Sequence, residues 1–137
     1  DKEIIGQSIE MLEDINSVIL NIEQGGAGNK RIVEVGIKKG TLNFDAVNDQ
    51  IIFEIEGRYT YTEPGEYINI GNIIAATEKK GKISTVTLIS NYSGRYDLTY
   101  DGKQESKIIF KSPTPYKLSL SNKGEVGDKT NIDIGVQ

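Results

Sequence analysis

The stretch DKEIIGQSIEMLEDINSVILNIE, residues 1–23, decides how the rest of the chain is organised. Its apolar residues recur at steps of three and four, while charged and polar residues fill the other side, which predicts an amphipathic α-helix. With a rise of 1.5 Å per residue, this helix would be about 33 Å long, enough to cross a small domain. The apolar stripe consists of Ile4, Ile5, Met11, Leu12, Ile15, Val18, Ile19 and Ile22.

The start of this helix carries no Ser, Thr or Asn cap. The stripe begins within one turn of Asp1, and neither an initiator Met nor a Ser, Thr or Asn cap precedes it. This pattern indicates that the stretch is the C-terminal part of a longer helix. We therefore expect the half from Ile15 to Ile22 to pack on the rest of the domain, and the half from Ile4 to Leu12 to stay partly exposed.

After the Gly-rich turn at residues 24–29, the hydrophobic period changes from 3.6 to two. Val33, Val35 and Ile37 alternate with polar residues, and similar short segments follow to the end of the chain, which is typical of half-buried antiparallel strands. We expect about nine strands, a hairpin turn at Asp101-Gly102 and a polar loop over residues 122–130. The predicted fold is α+β: one long N-terminal helix, residues 1–24, packed on an antiparallel β-sandwich or small open β-barrel, residues 25–137.

The composition restricts the chemistry that is available. The chain has 137 residues, a net charge of −4 and scattered Lys and Arg, which argues against nucleic acid as a partner. The absence of Cys excludes disulfides and zinc-thiolate sites, and the absence of His excludes Ser/His or Cys/His nucleophile pairs. No apolar run has the length of a membrane span. We expect no enzymatic activity, no cofactor and no small-molecule substrate.

Asn91-Tyr92-Ser93 matches the acceptor pattern for N-glycosylation. It lies before Gly94, at the predicted end of a strand, where a turn would expose it as the modification requires. The alternative is a chance match, because Asn, Ser and Thr are frequent in this chain.

Two turns carry oxygen ligands that a calcium ion could use. Asp and Asn are also frequent in turns because their side chains bond to nearby backbone, so a structural role is the alternative. The first group, a weak metal-site candidate, is Asp45, Asn48 and Asp49, and the second is Glu125, Asp128 and Asn131.

Two further sets of side chains have both a chemical and a structural interpretation. Glu54 and Glu56 lie on the same face of one predicted strand, where a carboxylate pair is more often a solvated face than a catalytic one. The Tyr residues could form a sugar-binding face, although packing at the core and its rim is the favoured role. They include Tyr59, Tyr61, Tyr67, Tyr92, Tyr96 and Tyr100.

A helix followed by a Gly-rich turn and an all-β remainder resembles the soluble headpiece of an archaeal type IV pilin or archaellin-like subunit. The segments that carry the resemblance are the helix from Ile4 to Ile22 and the β segments 31–42, 50–56, 116–122 and 131–136. In that family a basic leader and about twenty apolar residues precede this point and form the filament core. The resemblance implies that this chain lacks both, and that it reaches a membrane only through the missing segment.

The resemblance implies a structural subunit of an extracellular filament, used for adhesion or motility and anchored in the membrane before assembly. Its partners would be copies of itself or related pilin subunits, and the helix stripe would be the assembly face. The alternative is an anchored β-sandwich binding module, such as a stator-like or adhesin domain, that contacts the cell envelope without polymerising.

Overall fold

The computed structural model describes residues 2–137, so the predicted helix start at Asp1 lies outside the described residues. The fold is α+β, as the sequence predicts, with ten strands instead of about nine. In chain order the elements are α1 (Lys2–Gln24), β1 (Lys30–Val35), β2 (Thr41–Asp45), β3 (Gln50–Gly57), β4 (Tyr67–Ile70), β5 (Ile73–Lys80), β6 (Ile83–Asn91), β7 (Tyr96–Tyr100), β8 (Ser106–Phe110), β9 (Tyr116–Val126) and β10 (Lys129–Val136).

The strands form two sheets in a sandwich-like arrangement. One sheet has the order β1-β9-β10-β7 and the other the order β4-β5-β6-β3-β2-β8. Within residues 2–137 neither sheet closes on itself into a barrel, and the sandwich alternative of the prediction fits the arrangement. All strand pairs are antiparallel except β10 and β7, which run parallel. The expectation of antiparallel strands therefore holds for every pair except this one.

Both sheets and the helix contribute to one hydrophobic core. Alternate residues of each central strand point inwards, as in β6, where Val86 and Leu88 are buried between half-exposed neighbours. This is the in-and-out pattern of antiparallel strands that cover a core on one face. Along α1 the fully buried apolar side chains are Ile5, Leu12, Ile15, Ile19 and Ile22.

The expectation of a long helix with a projecting N-terminal half is wrong. α1 has 23 residues, and Ile5, near its start, is only 1% exposed, like Leu12. Ile4 and Met11 are half-buried and border a small cavity of about 50 Å³ together with Phe53 and the segment 36–39. The buried stripe runs from Ile5 to Ile22 and belongs to the same hydrophobic cluster as both sheets.

The turn at Asp101-Gly102 has the predicted form but joins strands of different sheets. Both residues have positive φ, 48° and 79°, and Tyr100 and Lys103 exchange backbone hydrogen bonds of 2.8 and 3.0 Å, as in a type I′ turn. β7 then belongs to the four-stranded sheet and β8 to the six-stranded one. The hairpin therefore ends at a single bridge between Tyr100 and Lys103.

The polar loop expected over residues 122–130 is instead the tip of a hairpin. β9 continues to Val126 and β10 begins at Lys129, with Gly127 at φ 66° in a two-residue turn. Residues 122–130 are mostly polar because the hairpin tip is exposed, and a register shift follows between Thr130 and Ile132.

Candidate interaction surface

The outer face of the six-stranded sheet carries a row of isoleucines. Strand register places Ile52 of β3 beside Ile89 of β6, and Ile89 beside Ile74 of β5. On the other side of Ile52 the row continues through Asn43 of β2 to Ile108 of β8. The inner faces of these strands fill the core, so this row faces away from it. At about 4.8 Å per strand, six strands give the face a width of about 24 Å.

Exposed aromatic residues stand at the two edges of the same face. Phe110 of β8 pairs with Thr41, and Tyr67 of β4 pairs with Ala76, which places both rings on the outer side. Phe110 is 59% exposed, Tyr67 72% and Ile108 45%. Large apolar side chains that are grouped on one face in this way mark a contact surface more often than scattered ones do.

The carboxylate pair of Glu54 and Glu56 lies at one end of this face and is exposed. Both residues line an open cleft of about 510 Å³ together with Phe110 and the lysines Lys39 and Lys111. The cleft is an aromatic surface bordered by both signs of charge. This arrangement suits a polar rim around an apolar contact.

Asn43 interrupts the isoleucine row with a polar side chain. Its Oδ1 atom is buried and accepts no hydrogen bond from the described residues. A buried acceptor without a donor costs about 1–3 kcal/mol. The sequence gives no signal for this, because Asn43 follows an apolar residue in a regular alternation.

The first candidate metal turn is used for internal hydrogen bonds. Asp45 accepts from the backbone of Val47 and Asn48, from the Asn48 amide at 2.9 Å and from the Ser106 hydroxyl. Burial acts to raise the pKa of Asp45, but these hydrogen bonds outweigh it and hold the pKa below its usual value. The structural interpretation is therefore favoured for Asp45 and Asn48.

Asp49, in the same turn, is directed towards the other sheet. Its φ is 56°, and its Oδ1 accepts from the Leu98 backbone N–H of β7 at 2.8 Å. Burial raises the pKa of Asp49, and the nearby Asp97 carboxylate adds to the rise, while the hydrogen bond from Leu98 and the Lys129 charge oppose it. The residue joins the two sheets.

The side chains of the second candidate metal turn are not brought together into a metal site either. Asn131 donates from Nδ2 to the Asp97 carbonyl at 2.9 Å and to the Thr99 hydroxyl at 3.2 Å. Glu125 and Asp128 are exposed at the β9–β10 hairpin. In the part of the chain that the structure describes, no group of three or more His, Cys, Asp or Glu side chains is placed to hold a metal ion.

The helix is held to the sheets by polar contacts that sequence reasoning missed. Glu23 accepts hydrogen bonds from the Arg95 guanidinium at 2.7 Å and from the Tyr96 hydroxyl at 2.8 Å. Burial and the Glu23 carboxylate raise the pKa of Tyr96 well above its usual value. Tyr92, whose ring packs edge-on against Tyr96, donates its hydroxyl to Asn16 at 3.0 Å. These partners lie more than 70 residues apart, so no local pattern connects them.

The predicted tyrosine face is divided among different environments. Tyr92, Tyr96 and Tyr100 are buried, Tyr59 and Tyr61 are half-buried, and Tyr67 is exposed. The favoured role in core and rim packing fits these positions.

The predicted helix assembly face is mostly buried inside the chain. Of its eight residues only Ile4, Met11 and Val18 keep intermediate exposure. In its folded position the stripe therefore offers little surface to a second molecule. Between Lys2 and Gln137 no helix has both the length and the apolar character that crossing a membrane requires.

The geometry of residues 2–137 thus offers an apolar sheet face, an exposed Asn91 and a rigidly attached helix as its distinctive surface features. Comparisons of the chain with protein-family models, with curated proteins and with solved structures find no significant match.

Proposed function

We propose that this protein is a structural, non-enzymatic subunit of an extracellular filament of the archaeal type IV pilus class. In this proposal, copies of the chain contact one another through the outer face of the six-stranded sheet. The observation that carries it is the row formed by Ile108, Ile52, Ile89 and Ile74 across that face.

The size of the face favours repeated contacts over a single strong one. A width of about 24 Å and a strand length of about 17 Å give roughly 400 Å² per partner, about half of the ~800 Å² that a standard interface buries on each side. One such contact is weak. In a filament each subunit makes several contacts at once, and their combined effect holds the assembly together.

The attachment of the helix supports the same role. Glu23 and Asn16 of α1 bond to Tyr96 and Tyr92, and the Asn122 amide donates to the Ile22 carbonyl at 3.1 Å. A helix fixed at several points moves with the β-domain as one body. This is what a subunit needs when its helix lies in the filament and its β-domain on the surface.

Electron microscopy of the cells that make this protein tests the proposal. Cells that lack the protein are expected to lose one class of surface filament, and antibodies against it are expected to label that filament along its length. Intact filaments together with lost attachment to surfaces would instead favour the anchored binding module. Intact filaments without antibody labelling would contradict the filament proposal.

A pair of variants tests the contact face itself. The double variant Ile108→Glu and Phe110→Glu puts charges on the sheet face and is expected to abolish filaments. Val126→Glu is the matched control, because Val126 is 64% exposed but lies at the β9–β10 hairpin, in the other sheet. Circular dichroism checks that both variants fold. Normal filaments from the folded double variant would show that the face is not the contact.

A further inference from the structure

We propose that Asn91 is N-glycosylated and that the first sugar of the glycan lies in a groove between the Asn91 turn and α1. The inference rests on the proposed function in one respect, since the modification requires an exported protein. Asn91-Tyr92-Ser93 is the single Asn-x-Ser/Thr sequence in the chain.

The turn leaves the acceptor Asn91 exposed. It buries Tyr92, which lies between Asn91 and Ser93 of the acceptor pattern. Asn91 is exposed at the end of β6, while the Tyr92 ring is buried. The Tyr92 hydroxyl donates to Asn16, and the Tyr92 N–H donates to the Asp49 carbonyl at 2.8 Å. Because Tyr92 is held inwards from both ends, Asn91 and Ser93 remain at the surface on either side of it.

The carboxamide of Asn91 is oriented by its own turn. Its Oδ1 accepts a hydrogen bond from the Ser93 N–H at 3.1 Å, and its Nδ2 has no acceptor among residues 2–137. The Ser93 hydroxyl likewise makes no hydrogen bond within that range, since Ser93 is bonded through its backbone. The nitrogen that reacts and the hydroxyl that identifies the site are therefore both available to an enzyme.

The modification is a group transfer from a lipid-phosphate-linked oligosaccharide, catalysed by an oligosaccharyltransferase. The Asn91 Nδ2 forms a bond to the anomeric carbon of the first sugar, and the bond from that carbon to the phosphate oxygen breaks. The lipid phosphate leaves with the electron pair, and one Nδ2 proton passes to a base of the transferase. No oxidant or reductant takes part.

An open groove of about 300 Å³ begins beside Asn91, a volume at the lower end of small-ligand sites, roughly 300–1,000 Å³. α1 contributes Asn16 and Leu20 to it, and Asn72 and Arg95 are among the other lining residues. The Nδ2 of Asn16 and the carboxamide of Asn72 have no partners among the described residues, so they can bond to sugar hydroxyls. Leu20 adds apolar surface that can cover the C–H face of a sugar ring.

A sugar in this groove would contact both the helix and the turn that follows β6. It would therefore add to the bonds that Glu23 and Asn16 already make to the same turn. We infer that the glycan restrains α1 on the β-domain as well as covering the surface.

Mass spectrometry of the protein isolated from the cells that make it tests the modification. We expect the peptide that contains Asn91 to be heavier than its amino-acid sequence by the mass of one oligosaccharide. Asn91→Gln and Ser93→Ala are expected to lose this mass, whereas Ser93→Thr keeps it. Asn69→Gln, at an exposed Asn of β4 outside both the acceptor pattern and the groove, is the matched control and keeps it too.

The outcomes separate the two proposals. An exported, filament-forming protein without the added mass would overturn the glycosylation proposal and leave the proposed function intact. A protein that remains inside the cell would overturn both.

Amide hydrogen exchange tests the position of the sugar. In the glycosylated protein, amides of α1 around Asn16 and Leu20 are expected to exchange more slowly than in Ser93→Ala. Ser93→Thr should match the unaltered protein. A glycan at Asn91 with equal exchange of α1 in both forms would show that the sugar does not lie in the groove.

Discussion

Glu23 Oε1, on the last turn of α1, lies 2.8 Å from the hydroxyl of Tyr96 at the start of β7. The same oxygen accepts the Arg95 guanidinium at 2.7 Å, and the Arg95 guanidinium lies 5.5 Å from the centre of the Tyr96 ring. One carboxylate thus fixes the end of the helix to the turn that carries the glycosylation pattern. Tyr96 is buried and Arg95 is 61% exposed, so the tyrosine contact is the stronger of the two.

We expect Glu23→Ala to lower the free energy of unfolding by about 1–2 kcal/mol, because the buried Tyr96 hydroxyl loses its charged acceptor. Arg95→Ala is expected to cost less than about 1 kcal/mol, since the guanidinium stays largely in water. Urea denaturation measures both. Glu13→Ala, at an exposed position of the same helix, is the control and should change stability by less than about 0.5 kcal/mol. A similar loss in the control would contradict a specific role for Glu23.

Ile5→Ala tests whether the start of the helix is part of the core. Ile5 is 1% exposed, so we expect a loss of about 2–4 kcal/mol, close to that of Ile19→Ala in the middle of the stripe. Thermal or urea unfolding of both variants makes the comparison. An Ile5→Ala protein as stable as the parent would mean that the first turns do not pack. The stripe would then again be free for assembly.

Asp45 is expected to make the protein sensitive to acid. Its folded-state pKa is held below the usual value of 3.8, so its contribution to stability is present above pH 3.8 and is lost as the pH falls through the lowered pKa. Asp45→Asn removes that contribution at neutral pH. The variant should therefore lose less stability than the parent between pH 5 and about pH 2. Asp128→Asn at the β9–β10 turn is the control, and an acid response of Asp45→Asn identical to that of the parent would contradict the prediction.

Asn43→Val is expected to stabilise the protein by about 1 kcal/mol. The substitution removes a buried acceptor without a donor and places a good strand-forming residue between Ile108 and Ile52. Chemical denaturation gives the change in free energy. If the row is a contact face, the variant should also form filaments at least as readily as the parent. A clear loss of stability would show that Asn43 has a partner in solution.

Much of the fold followed from two periods in the sequence. The 3.6-residue stripe of residues 4–22 determined the helix, and the alternation from Val33 onwards determined the strands and their inward faces. Both signals are local, because each element must bury one face whatever lies against it. The pair Asp101-Gly102 predicted the turn at that position for a similarly local reason. Few residue pairs accept two consecutive positive φ angles.

The contacts between elements were decided only by the tertiary structure. Whether Ile5 is exposed depends on its neighbours in space, and in the folded chain it belongs to the hydrophobic cluster that the helix forms with both sheets. The parallel pairing of β10 with β7, the isoleucine row on four strands of one sheet and the bond from Tyr96 to Glu23 all join distant parts of the chain. The sequence by itself determined the helix and the alternating faces of most strands, but neither the number of strands nor the hairpin over residues 122–130. Only the folded chain, by packing those faces together, decided which apolar surface stays exposed, because burial is a property of neighbours in space.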